Sequence, residues 1–169
     1  MSYKNKTYVI FDGDTDMRYY RLMQAWIVND HIDFNFYNAH DLNSARDTST
    51  EESIKRQLRE RMTSSKQVVV LVGANTKNLR KFVPWEIALA RKLDLPIIVV
   101  NLNGLRVHDP VMCPASIEDG VYTVNVSFGS KIIKRALDNF PDDYYSHRDR
   151  LTKGHNWEYP ASVYTELYG

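Results

Sequence analysis

Gln67-Val68-Val69-Val70-Leu71-Val72 is an unbroken apolar run rich in β-branched residues, and it limits the fold more than any other stretch. A strand with one wet face alternates apolar and polar residues; a continuous run implies that both faces are covered, as in a parallel sheet. Pro96-Ile97-Ile98-Val99-Val100-Asn101-Leu102 repeats the pattern. Between the two runs, Leu79 to Leu93 places Val83, Ile87, Ala90 and Leu93 on one side at about 100° per residue, the spacing of a helix. Strand, helix and strand then form a crossover unit, which is right-handed in parallel sheets.

The same alternation extends in both directions. Thr7-Tyr8-Val9-Ile10-Phe11 is a buried strand ending in Asp12-Gly13-Asp14-Thr15-Asp16. Met17 to Val28 has helical spacing, with Tyr20, Met23, Trp26 and Ile27 inward. Phe34-Asn35-Phe36-Tyr37 is a short alternating strand, followed by polar loop to Ser49. Thr48-Ser49-Thr50-Glu51-Glu52 carries a capping-box signature ahead of a helix whose narrow face is Ile54, Leu58 and Met62. Its Lys55, Arg56, Arg59 and Arg61 alternate with acids, as on a solvated face. Val121 to Val126 is the fifth strand, and Ser130 to Phe140 is an amphipathic helix that Pro141 should end.

This order predicts an α/β, flavodoxin-like three-layer sandwich: a five-stranded parallel sheet of order 2-1-3-4-5 with helices on both faces. Residues 1–140 form the expected domain. The extension 141–169 holds Tyr144, Tyr145, Trp157, Tyr159, Tyr164 and Tyr168, too aromatic for a disordered tail. It is expected to pack on the domain or on an oligomer partner.

Composition removes several function classes. Apolar residues make up 43% of the 169, charged residues 25%, and the net charge is +1. No strong field points to nucleic acid or an anionic membrane. No apolar run is long enough to span a bilayer, and the N-terminus lacks a signal-peptide core, so a cytoplasmic location is expected. The single Cys113 has Met112 and Pro114 beside it and no base, which suits a small core residue. Glycine-rich phosphate loops, nucleophile elbows and metal-ligand spacings are absent, so neither a resident cofactor nor a metal is expected. Phosphorelay receivers need an acid at the end of the third strand, where this chain has Val72-Gly73-Ala74.

One residue breaks the apolar pattern. Glu86 projects with the inward set, between Val83 and Ala90. A carboxylate aimed at a core or cleft must be solvated, paired or neutralised, and active sites hold acids this way. The competing explanation is a helix acid: Pro84 suits a first turn, which would put Glu86 near the third helical position, where the dipole favours an acid. In the predicted topology, ligands bind outside the carboxyl ends of the first and third strands. There the loop Asp12 to Asp16, the segment Gly73 to Asn78 and the Glu86 helix converge, flanked by His40, Asp41 and Asn43. The three loop acids could hold Mg²⁺, which prefers oxygen ligands, or could cap the next helix, with Asp14 or Thr15 as the favoured cap.

The third-strand region with Thr76-Lys77-Asn78-Leu79-Arg80-Lys81-Phe82-Val83-Pro84-Trp85-Glu86-Ile87, then Leu95 to Asn101, resembles the TIR-like domains of the Thoeris antiphage defence system. Tyr8 to Asp16 and Ile54 to Arg61 resemble the same branch, and the likeness runs from about Tyr3 to Phe140. It implies a TIR fold with NAD⁺ as substrate, and cleavage of the nicotinamide–ribose bond by a glutamate on the helix after the third strand. Glu86 is the residue that carries over. The cysteine of the common TIR motif is replaced by Val83, whereas Trp85 before Glu86 is typical of the TIR-like branch. Phe11, Tyr37 and Trp85 are expected walls, with Asp12, Asp14, His40, Asp41 and Asn75 as further substrate-binding residues. The resemblance also implies an ADP-ribose-derived, cyclic signal for a separate effector, and self-association. Two other classes stay open: a non-catalytic TIR-like assembly module, and a nucleoside deoxyribosyltransferase-like enzyme, which shares the sheet order and a catalytic Glu.

Overall fold

A computed structural model describes residues 7–29, 50–118, 121–148 and 156–169. The strands are β1 (Thr7–Ile10), β2 (Gln67–Val72), β3 (Ile97–Asn101), β4 (Thr123–Ser127) and β5 (Asn156–Glu158). The helices are α1 (Met17–Asn29), α2 (Glu51–Thr63), α3 (Phe82–Lys92), α4 (Ala115–Glu118), α5 (Ser130–His147) and α6 (Ala161–Tyr168). A 3₁₀ turn, Thr76–Asn78, links β2 to α3.

Among the described residues the sheet is all parallel, in the order β1-β2-β3-β4-β5. The four strands β1 to β4 follow one another as the crossover argument requires. Two details bear on the expected strand order. The expected strand at Phe34–Tyr37, which would have extended the sheet beyond β1, lies outside the described residues. The fifth described strand comes instead from the extension, where Asn156, Trp157 and Glu158 pair with Thr123, Val124 and Asn125. Three residues with one apolar side chain are too short a signal to mark a strand in sequence. They pair here because β4 offers them an open edge.

Strand parity divides the core into two layers. Tyr8, Ile10, Val68, Val70, Val72, Ile97 and Val99 face α2, α3 and α4. Val9, Val69, Leu71, Ile98, Val100, Val124 and Val126 face α1, α5 and α6. Both faces of β2 are therefore dry, which explains its unbroken apolar sequence.

Helix ends refine the reading further. Thr50 is the N-cap of α2 and accepts from the Ser53 N–H at 3.2 Å. The third helical residue is thus Ser53, so the reciprocal half of a capping box is missing. Pro141 does not end α5, which continues to His147. The ring forfeits one intrahelical bond. Beyond it, Tyr144 packs on Tyr122 and Phe140 at 5.8 and 6.0 Å between ring centroids, and its hydroxyl donates to Asp94 at 2.7 Å. Those contacts hold the last turns in place.

The extension also secures the start of α5. Gly129, the N-cap, has no side chain to offer. Tyr168 from α6 takes that role, its hydroxyl oxygen accepting from the Ile132 N–H at 3.1 Å. A Cβ on Gly129 would lie 2.4 Å from that oxygen, so any larger residue would have to displace the tyrosine from the helix start. Tyr164, buried, accepts from the Ser127 N–H at 3.2 Å.

Candidate functional site

Helix α3 starts at Phe82, which places Pro84 third and Glu86 fifth. Pro84 still falls among the first positions whose N–H groups lack an intrahelical partner, so it costs no hydrogen bond. Glu86 does not lie in the first turn, and the dipole explanation loses most of its force, since that effect fades beyond it. The side chain points instead at the sheet. Glu86 is only 5% exposed, and its Oε2 accepts from the Tyr8 hydroxyl at 2.5 Å. Tyr8 is fully buried in β1, where it pairs with Val68 of β2. A buried carboxylate is tolerable when donors of this kind satisfy it.

Tyr8 is a site residue the sequence reading passed over. The bond spans 78 positions, beyond any spacing rule. The available signal was a tyrosine inside an otherwise apolar, fully buried strand, because a buried phenol needs a polar partner.

At the carboxyl end of β1 the chain makes a tight acidic turn. Asp12 is buried and accepts from the Asp14 N–H at 3.0 Å, the Thr15 hydroxyl at 2.7 Å and the Asn75 amide at 3.0 Å. Burial works to raise its pKa, but these bonds outweigh burial and hold the carboxyl below its ordinary value. Asp14 is exposed, and α1 begins at Met17. Neither Asp14 nor Thr15 therefore stands at the N-cap; Asp16 does. Its Oδ2 is buried with no hydrogen-bond partner among the described residues. Burial first, and the neighbouring Asp12 charge second, push its pKa above the ordinary value.

Asp16 lines a crevice of about 360 Å³ between α1 and the ends of β2 and β3, together with Tyr19, Gly73, Asn75, Leu102 and Met112. That is within the size range of small-ligand pockets. Gly73 leaves room there for Asp16: a Cβ would meet its Oδ2 at 2.5 Å, so the carboxyl would have to shift. Its N–H donates to Thr76 Oγ1 at 2.9 Å, which fixes the turn leaving β2.

The expected residues are thus brought together only in part. Asn75 lines the crevice and holds Asp12 behind it. Glu86 and Trp85 do not line this crevice; they lie on the α2–α3 side of the sheet. Trp85 is half-buried beneath Lys55 and Arg59 of α2, whose charged groups lie 5.4 and 5.6 Å from its ring centroid. Phe11 belongs to the opposite layer, stacked on Tyr20 at 4.8 Å, so it forms no wall beside Glu86. Strand parity decides this: Tyr8 and Ile10 face α3, and Phe11 has the other parity. Tyr37, His40, Asp41 and Asn43 lie outside the described residues. Among the described residues no three His, Cys, Asp or Glu side chains gather as a metal site.

A buried acid on the helix after β2, set in an all-parallel sheet, now meets an independent comparison. Residues 2–107 match the family model described as Thoeris protein ThsB, TIR-like domain. This chain belongs to that family. The matched region contains β1 to β3, α3 and all the crevice residues named above except Met112. The later segments, with β4, β5, α5 and α6, lie beyond it. The chain is also similar to the TIR domains in the structure of the activated Roq1 resistosome directly recognizing the pathogen effector XopQ. That similarity has 14% identity and a TM-score of 0.43, covering 90% of this chain and 87% of the other. No curated protein matches. No helix of the described residues is long and apolar enough to cross a membrane.

Proposed function

We propose that this ThsB-type chain consumes NAD⁺, with Glu86 as the catalytic carboxylate. The observation that carries the reading is Glu86 itself: an acid in the inward stripe of α3, 5% exposed and held by Tyr8, in a chain of the TIR-like family. In the reaction the bond between C1′ of the ribose and the nicotinamide nitrogen breaks. Its electron pair leaves with nicotinamide, which departs neutral, so no general acid is needed. Positive charge builds on the ribose, as in glycoside cleavage. A preorganised carboxylate in a partly dry site stabilises that charge. Water then closes the reaction to ADP-ribose and a proton, or a nucleophile within the same molecule closes it to a cyclic product.

The signal is proposed to be the cyclic form, made in the cytoplasm and read by a separate effector in phage defence. Trp85 is the proposed substrate contact among the described residues on the Glu86 side of the sheet, and self-association is proposed to complete the site. The test is nicotinamide release from NAD⁺ by purified wild type and by Glu86→Gln. The substitution should cut turnover about a hundredfold or more while the melting transition stays cooperative. Undiminished turnover by the folded variant would falsify the assignment.

One observation favours a second reading, a non-catalytic module: the Tyr8 bond also ties α3 to β1, a sufficient structural reason for a buried acid. In that case wild type releases no nicotinamide and Glu86→Gln changes stability alone.

A further inference from the structure

We infer that Tyr8 is the positioning residue of the Glu86 carboxylate, an inference that rests on the catalytic reading of Glu86. The geometry is favourable on both sides of the contact. Tyr8 is anchored in the sheet, with β2 alongside through the Tyr8–Val68 pairing, and its side chain is fully buried between the sheet and α3. A tyrosine has two side-chain torsions, and packing fixes both. Its hydroxyl therefore sits at a point set by the sheet, not by the helix that carries the acid. Glu86 has one more torsion, so its carboxylate has more freedom to lose than the phenol. The 2.5 Å bond to Oε2 restricts that freedom and helps to set the plane in which the carboxylate meets developing charge.

The arrangement also divides labour between two secondary elements. Helix α3 brings the charge, and strand β1 aims it. A hydrogen bond from a buried phenol to a carboxylate is charge-assisted, so it is strong while the acid is ionised, the form that stabilises a cationic ribose. Tyr8 touches neither substrate nor reacting atoms in this scheme and acts only through Glu86.

The decisive experiment compares wild type, Tyr8→Phe, Glu86→Ala and the double variant, each as the full chain. Steady-state nicotinamide release should show kcat lowered about tenfold to a hundredfold in Tyr8→Phe, with KM within about twofold of wild type. A merely structural tyrosine would leave kcat of the folded fraction unchanged. Melting of the four proteins supplies a readout free of activity. The two single losses in stability should exceed that of the double variant when summed, because either substitution alone already removes the bond the two residues share. Coupled stabilities with a fully active Tyr8→Phe would overturn the positioning role. Additive stabilities would overturn the contact itself. Coupled stabilities with no nicotinamide release by wild type would instead sink the catalytic reading, and the positioning role with it.

Discussion

Among the described residues, two of the regions that bury a carboxylate treat it in opposite ways. On the α3 side, Glu86 is met by a phenol from the middle of β1. In the crevice on the α1 side, Asp16 is packed against Gly73 with one oxygen unpartnered among the described residues, while the nearby Asp12 takes the donors of the turn. The contrast teaches that depth of burial does not say what a buried acid does; the donor supplied to it does. A satisfied acid is held in a fixed pose. An unsatisfied one costs stability whenever it is charged.

That contrast can be broken experimentally. The largest stability effect should come from Tyr8→Phe, which removes a hydrogen bond to a charged group and should cost about 2 kcal/mol in chemical denaturation. A cost near zero would put Glu86 on the same footing as Asp16. Gly73→Ala should cost a little less, about 1–2 kcal/mol, because the added methyl has to displace the Asp16 carboxyl. The cost should largely vanish when Asp16 is itself replaced by alanine. If it persists, the backbone turn and not the acid is what demands glycine.

The smallest effect has the opposite sign. Asp16→Asn should stabilise the protein by about 1 kcal/mol at pH 7. The folded-state pKa of Asp16 lies above the ordinary 3.8, so the ionised acid opposes folding above that folded value. The advantage of asparagine should therefore fade as the pH falls through the folded pKa and be gone below the unfolded one. A gain independent of pH would show that desolvated charge is not the cause. Asp12, held below its ordinary value, works the other way: its contribution is present at neutral pH and is lost as the pH falls through its folded pKa.

Much of the fold was legible because it was written in local patterns. The β2 and β3 runs announced dry faces, and the α3 stripe exposed Glu86 as the residue out of place. The sequence could not supply partners. Tyr8 and Glu86 find each other only after β1 and α3 are packed, and the unpartnered Oδ2 of Asp16 depends on where the folded turn aims its donors. Phe11 was misplaced for a related reason: once both faces of a strand are apolar, composition no longer tells which layer a given side chain enters. Pro141 misled because a lost helical bond is a local cost, whereas the Tyr122, Phe140 and Tyr144 cluster that offsets it is assembled from distant segments.

The tyrosines of α6 have a consequence for measurement. The amides of Ser127 and Ile132 lie on β4 and α5, yet their acceptors are hydroxyls contributed by the last helix. Their solvent exchange is therefore governed by how often that helix lifts away, not by opening of the sheet. Two backbone protons thus serve as a built-in clock for the undocking of the C-terminal segment, readable without altering a single residue.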